Sequence, residues 1–468
     1  MTEQGSTLTN LRYFVPFSSG WEFVWFDFLA LLLIACFFDF KKPFRLRNLD
    51  LLMLCVWVPL GDYEKGTLRW TAVVGYWPLF YFLPRLLWQP SRRHEDPCVI
   101  HAGSTALATA TLAALFYGAL LTLICPLPYE RYYGMHTLGL SASAIGGSQG
   151  AAAILKGQIP YGNLPKGWDC YGPAYYYCFA PFVALLSDLP GVGPQYHLPA
   201  RALTILANFV AASALRALGQ RLAGVQFGWA LACFWSAIPY TLISCYWSQA
   251  GHLLVGALLA VAGLGLSCST VRGGLALAWA SAAAFFPVLL IPVWAARLAK
   301  RERVRFVALV VAAGMLLTLP MLCQSQGIWR LLDATLVFRQ TRNVGPWSPW
   351  THFPWTRPAM QFFQWMTLPV VAYCAWRARG RGYVSTLALA GAVVIYTQLY
   401  SLHAPGRYQL WMLPFLLPVL LLGSNRAAFE EQVVRAAGLP YPRRPGEAET
   451  PGTDVRAVAG TSPEEGDT

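Results

Sequence analysis

The chain has 468 residues, of which 56% are hydrophobic and only 12% charged, with a mean hydropathy of +0.44 and a formal net charge of +13. Soluble domains carry nearer a quarter of charged residues, so an ordinary soluble enzyme is excluded. The basic residues sit in short clusters between apolar runs, not in a stripe with interleaved aromatics, which argues against a nucleic-acid partner and for anchoring at a membrane surface.

A bilayer core about 30 Å thick needs roughly 20 apolar residues per helix. Stretches of that character recur at 21–38, 49–60, 70–88, 99–125, 172–187, 200–217, 225–243, 250–267, 275–296, 305–322, 361–376, 384–400 and 408–422. The expected fold class is therefore all-α: a polytopic membrane helical bundle of about 11–13 spans, with loops on its outer face that bear short interfacial helices. The run at 49–60 is short for a full crossing, so it is tilted, re-entrant or paired with a neighbour. The first run begins near Trp21 with no basic region before it and no small-residue cleavage site after it, so it is expected to stay in the mature protein. Residues 1–126 form an N-terminal group of spans, 127–422 a core, and 423–468 a tail rich in Pro, Gly, Glu and Arg that is expected to be mostly disordered.

Short loops rich in Lys and Arg stay in the cytoplasm. Lys41, Lys42, Arg45 and Arg47, then Arg92 and Arg93, then Arg216 and Arg221, then Lys300, Arg301, Arg303 and Arg305, and finally Arg377, Arg379 and Arg381 mark that side. Segments 127–171, 323–360 and 401–407 then fall together on the outer side, with 244–249 joining them. The alternation fails once, between the run at 172–187 and the arginines at 216 and 221, which points to a re-entrant segment near 188–199. The eleven cysteines are scattered through apolar runs with no CxxC pair, and read as small buried hydrophobes.

The first long outer loop and the span after it contain AAAILKGQIPYGNLPKGWDCYGPAYYYCFAP. Ala151–Leu155 is a short helix candidate with Gly157 as its C-cap, and the Pro, Gly and Tyr that follow make tight turns against the membrane surface. This stretch resembles an outer loop of the GT-C superfamily of membrane glycosyltransferases, and within it the bacterial glycosyltransferase family 87. SCYWSQAGHLLVGALLAVAGL, AAAFFPVLLIPVW and GRYQLWMLPFLLP resemble three further motifs of that group in the same order, so the likeness spans about residues 130–425.

The resemblance implies a GT-C-like core and a transferase working on the outer face of the cell membrane. A polyprenyl-phosphate-linked sugar would be the donor and a glycan or glycolipid hydroxyl the acceptor, with membrane lipid around it. Such chemistry needs a carboxylate to take the acceptor's proton, cations or a divalent ion (Mg or Mn) to face the leaving phosphate, and an apolar groove for the lipid tail. Asp169 matches the family's acidic residue ahead of YGP; it is either a turn cap or the base. Family members carry a further Asp upstream of the small-residue helix, but HTLGLSASAIGGSQG has no carboxylate, so Glu130 or Asp169 replaces it or catalysis has been lost.

Arg339, Arg342 and Arg407 are the candidate phosphate ligands, or else interfacial arginines snorkelling to headgroups. Tyr161, Tyr171, Gln249 and His403 are candidate substrate contacts. Their alternatives are belt aromatics for the tyrosines, helix glue for Gln249 and a hydrogen-bonded interfacial histidine for His403. A non-catalytic lipid-carrier binding protein or a transporter is the alternative function. A transporter, however, gathers ionisable groups at the bilayer midplane, and this chain has almost none there and concentrates its charges at the interfaces.

Overall fold

A computed structural model describes residues 21–55, 68–88, 100–124, 142–165, 168–187, 197–324, 327–337, 350, 353–400 and 408–422. Among the described residues the regular structure is entirely helical. Helices α1 (Trp21–Phe37), α2 (Leu46–Cys55), α3 (Leu68–Trp88) and α4 (Ser104–Ile124) lead to α5 (Ala142–Leu155), α6 (Pro173–Leu186), α7 (His197–Ala223), α8 (Val225–Ala237) and α9 (Pro239–Tyr246). Then come α10 (Ala250–Cys268), α11 (Thr270–Ala284), a 3-10 turn at Phe286–Leu290, α12 (Ile291–Arg297), α13 (Lys300–Leu322) and α14 (Gly327–Leu332). Helices α15 (Arg357–Trp365), α16 (Thr367–Ala378), α17 (Tyr383–Leu399) and α18 (Leu413–Leu421) complete the set.

Among the described residues four helices, Ser104–Leu123, Leu198–Ala223, Ala250–Cys268 and Lys300–Leu322, are long and apolar enough to cross a membrane, and a fifth is counted if the bent pair α8–α9 is one span. Several other apolar runs fall on helices such as Pro173–Leu186 and Tyr383–Leu399, which are shorter than a full crossing. The surface of α13 is apolar as well: Val304, Val311, Met315, Leu316 and Leu319 are exposed, while Phe306, Val310 and Met321 face the core. A contiguous exposed face of that kind is compatible with lipid and costly in water.

Prolines decide where the expected spans break. The run expected as one crossing at 225–243 bends by 49° between α8 and α9, because Ile238 precedes Pro239 and is forced extended (φ −60°, ψ 129°). Asn208, in the middle of α7, ties the two arms of that bend: Trp235 Nε1 donates to its Oδ1 at 2.9 Å and its Nδ2 donates to Cys245 Sγ at 3.5 Å.

The run at 275–296, expected as one crossing, is not one. It divides at Phe285, whose φ of +61° ends α11 ahead of Pro287. The start of α11 lies against α10 at the Gly265–Gly273 contact, and the end of α12 returns to the same level. There Arg297 sits 5.3 Å over the Tyr383 ring, whose hydroxyl donates to Gly263 O. The turn between them reaches the opposite end of α10, where Phe286 stacks on Trp411 and Trp411 lies 6.3 Å from His252. The segment therefore goes out and comes back, which returns the chain to its starting end ahead of Lys300.

The alternation is also interrupted near residue 188. Helix α6 starts where Gly172 N donates to Ala283 O, and α7 starts where Arg201 reaches the Leu123 carbonyl at the end of α4. Trp279 Nε1 donates to Cys178 Sγ at 3.4 Å, so α6 runs antiparallel to α11. Both α6 and α7 begin at the end away from Arg221 and Arg297, and the expected re-entrant stretch near 188–199 lies mostly in 188–196, outside the described residues.

The N-terminal helices carry a buried ion pair that sequence reading did not anticipate. Arg85 on α3 grips Asp50 on α2 at 2.9 Å, with both side chains at most 5% exposed, and Tyr81 adds its hydroxyl at 2.7 Å. Nearer the loop, Asp39 holds Arg45 at 2.8 Å and Asn48 accepts from the Asp39 N–H. None of the described cysteines forms a disulfide, and Cys55, Cys233, Cys245 and Cys374 are buried as expected of small hydrophobes.

Candidate functional site

Helix α5 is longer than the Ala151–Leu155 segment expected, because the small residues upstream of it also turn helically from Ala142. Gly157 does close it: its φ is +74°, and the N–H groups of Gly157 and Gln158 return to Ile154 O and Ala153 O. The chain then folds back over α5 in a loop held by its own side chains. Asp169 Oδ2 accepts the Gly162 N–H at 3.0 Å, where Gly162 takes φ +72°. Tyr161 donates to Tyr171 O at 2.9 Å, and Tyr176 donates to Trp168 O at 3.2 Å. A Cβ on Gly172 would run into Ala282 O, so only glycine lets this loop lie directly on the end of α11.

Asp169 is 6% exposed and Tyr161 0% exposed. Burial, with smaller contributions from Tyr177 and Asp169, pushes the Tyr161 phenol well above its ordinary range and keeps it a neutral donor. Both side chains thus brace the loop. The cap that Asp169 supplies belongs to the Tyr161–Gly162 turn before it, and the carboxylate is turned towards backbone on that side. Tyr171 is half-buried and stacks on Tyr175 at 4.2 Å between ring centroids.

Tyr175 connects this loop to a second cluster. Its hydroxyl donates to Ser143 O at 2.8 Å and lies against Gly251, at the start of α10. Gln249 immediately precedes that helix, 6% exposed, and its Oε1 accepts from Ser244 Oγ at 3.2 Å. His252 packs edge-on to Tyr408 at 5.0 Å; Tyr408 stacks on Trp411 at 4.3 Å, and Trp411 on Phe286 at 4.7 Å. Gln398 on α17 donates through Nε2 to Tyr408 O at 3.0 Å. Four separate stretches, around residues 157–172, 249–252, 283–286 and 408–411, therefore meet at the end of the bundle away from Arg221 and Arg297.

Gln324 and α14 join the same end. Gln324 Nε2 donates to Gly157 O at 3.4 Å, and the stem of Arg330 lies over Gly162. Arg330 is exposed and is a cation that sequence reasoning passed over, because one arginine in IWRLL reads as a helix-end residue. Gln398 and Gln409 were also missed, although each is a single amide inside an apolar run, the same signal that picked out Gln249.

Of the residues singled out from sequence, Asp169, Tyr161 and Tyr171 come together in one loop, and Gln249 lies in the adjoining cluster. Glu130, Arg339, Arg342, His403 and Arg407 lie outside the described residues. Among the described residues no three His, Cys, Asp or Glu side chains group closely enough to hold a metal ion. The chain matches no known family model and no curated protein. Fold and site together define a helical protein with helices fit for a membrane and a braced, aromatic-rich cluster at one end.

Proposed function

We propose that the chain is an integral membrane glycosyltransferase with its working end on the outer face of the cell membrane, moving a sugar from a polyprenyl-phosphate donor to an acceptor hydroxyl. One observation carries this reading: the four stretches that resemble family 87 motifs, far apart in sequence, converge at a single end of the bundle. In the proposed inverting step the acceptor oxygen bonds to the anomeric carbon as that carbon's bond to the phosphate oxygen breaks. The hydroxyl proton passes to a carboxylate and the polyprenyl phosphate leaves as an anion.

Asp169 or Glu130 is the base in this reading. Asp169 is held in place by Gly162, which suits a positioned base and also gives it a bracing role. Arg330 adds an exposed guanidinium beside that turn, alongside the proposed ligands Arg339, Arg342 and Arg407.

Asn keeps an acceptor oxygen for Gly162 while removing the proton acceptor, so the two roles separate. Asp169→Asn is expected to lower transfer of labelled sugar from polyprenyl phosphate on the order of 100- to 10,000-fold, with expression and donor binding near those of the wild type. Full activity in the Asn variant, together with loss in Asp169→Ala, would assign Asp169 to bracing and move the base to Glu130. The non-catalytic reading, a lipid-carrier binding protein or transporter, draws on the same bond between Asp169 and backbone. Donor binding without transfer, with every polyprenyl sugar tried, would establish it.

A further inference from the structure

Between α1 and α2 the chain makes a tight loop at the basic end of the bundle. His101, just ahead of α4, donates its N–H to Cys36 O at 3.0 Å, and its ring Nε2 lies 2.9 Å from Phe38 O. Gln226 Nε2, at the start of α8, donates to Ala102 O at 2.9 Å. Arg221, in the last turn of α7 just before it, reaches Ser267 O at the end of α10. These bonds put the loop at the end of the bundle that Arg221 marks.

The loop is fastened from its inner side. Asn48, 2% exposed, accepts the Asp39 N–H at 2.8 Å and donates through Nδ2 to the carbonyls of Asp39, Lys42 and Pro43 at 3.0, 3.1 and 3.0 Å. Asp39 Oδ1 accepts the N–H groups of Lys41 and Lys42 at 3.1 and 3.3 Å, and its Oδ2 accepts from Arg45 at 2.8 Å. The bonds that hold this turn come from backbone and from Asp39, Arg45 and Asn48, so the outward side chains are not needed to make it. Those side chains are Phe40, Lys41, Lys42, Pro43 and Phe44, every one of them exposed. Phe40 is 64% exposed and leans on Phe38 and His101, and Phe44 is fully exposed.

A fixed turn that holds two phenyl rings out on either side of two lysines is costly in water and fits a surface offering both apolar and anionic contacts. An acidic peptide matches the lysines but not the rings, and an apolar protein face matches the rings but not the lysines. The interface of an anionic bilayer matches both, since phosphate groups lie within a few ångströms of the acyl chains. Helix α1, directly before the loop, exposes Trp25, Phe28, Leu31 and Leu32, so the loop stands where an apolar helix surface gives way to charge.

We propose that the Phe40–Phe44 loop is a docking site for anionic lipid headgroups, with the two rings entering the interface and Lys41 and Lys42 drawing phosphate to it. The proposal rests on the membrane part of the function proposed above and not on glycosyl transfer.

The test is photo-crosslinking of the full chain in nanodiscs made of equal parts phosphatidylglycerol and phosphatidylcholine with the same acyl chains. The photoreactive amino acid p-benzoylphenylalanine is placed at Phe44, and adducts are identified by mass. Lipid adducts are expected, with phosphatidylglycerol favoured by about fivefold for each lysine that faces the headgroups. Lys41→Gln with Lys42→Gln should remove most of that preference, and so should high salt, where the Debye length falls to about 3 Å. The same reagent at Met315, 63% exposed on α13, should give lipid adducts whenever the chain sits in the bilayer.

Lipid adducts at 315 and none at 44 overturn the docking site and leave the membrane reading standing. Absence of lipid adducts at both positions sinks the two together. Crosslinks from 44 to peptide, whether to the acidic tail of this chain or to another protein, overturn the choice of lipid, and an unchanged preference in the double Gln variant overturns the role of the lysines. If the chain with the reagent at Phe44 does not fold, the reagent at Phe40 decides by the same outcomes.

Discussion

At the scale of single residues, the buried pair Asp50–Arg85 offers the clearest energetic prediction. Both side chains are at most 5% exposed; Arg85 Nε donates to both carboxylate oxygens, at 3.1 Å to Oδ1 and 3.2 Å to Oδ2, and a terminal nitrogen donates to Oδ2 at 2.9 Å. Removing one partner leaves the other charge buried without this counter-ion, at a cost of about 3–5 kcal/mol, whereas replacing both with apolar residues of similar volume is commonly neutral. Arg85→Leu alone should therefore lower the unfolding temperature sharply, and Asp50→Leu with Arg85→Leu should recover most of it. A double variant as unstable as the single one would show that the pair itself holds α2 on α3. Asp169 poses a different question, since it is tied to backbone where a catalytic base must also meet substrate. The Asn and Ala substitutions separate these roles because they differ in whether an acceptor for Gly162 remains.

At the scale of elements, glycine and proline placement decides how the working end is built. Gly172 lets the loop before α6 press onto the last turn of α11, where its N–H donates to Ala283 O at 2.9 Å. Gly172→Ala places a methyl group into the Ala282 carbonyl, and loop and helix must separate to accommodate it. A destabilisation of about 1–3 kcal/mol is expected, as for other overpacked sites, with greater protease sensitivity in the loop at 156–172. Wild-type protease resistance in that variant would show that the loop does not depend on this contact. Asn208 plays the corresponding part at the α8–α9 bend, reaching Trp235 on one arm and Cys245 on the other. Asn208→Leu strands the Trp235 indole N–H, and a loss of about 1–3 kcal/mol is expected in thermal unfolding, the cost of an unsatisfied buried donor.

At the scale of the whole molecule, the ends of the bundle differ in character. Arg221, Arg297 and the start of α13 at Lys300 mark one end, and the loop with Asp169 and the aromatic stack around Trp411 mark the other. If the basic end is cytoplasmic, as short basic loops are, the stretch 323–360 faces outside and the chain after Gly423 faces the cytoplasm. A cysteine introduced at Gly345 should then react with an impermeant reagent in intact cells, and one introduced at Val455 should react only after lysis. Protection at 345 together with labelling at 455 would reverse the orientation. The outward return of the chain at Phe285 supports this assignment, since it brings α13 back to the same end as Arg221.

The sequence by itself determined the helical class, the apolar surface, the positions of most helices and the burial of several cysteines, because these follow from local composition and spacing. It also located the loop around Asp169, since Gly, Pro and Tyr punctuation is a local signal, and Gly157 capped its helix as its position implied. Only the tertiary structure decided that 275–296 turns back at Phe285, since hydropathy records how apolar a run is and not its direction. It alone decided that Asp169 braces a neighbouring turn, that Asp50 meets Arg85, and that Gln398, Gln409 and Trp411 gather around Tyr408. Each of these depends on side chains brought together from different helices, and nothing in the spacing along one helix encodes a partner on another.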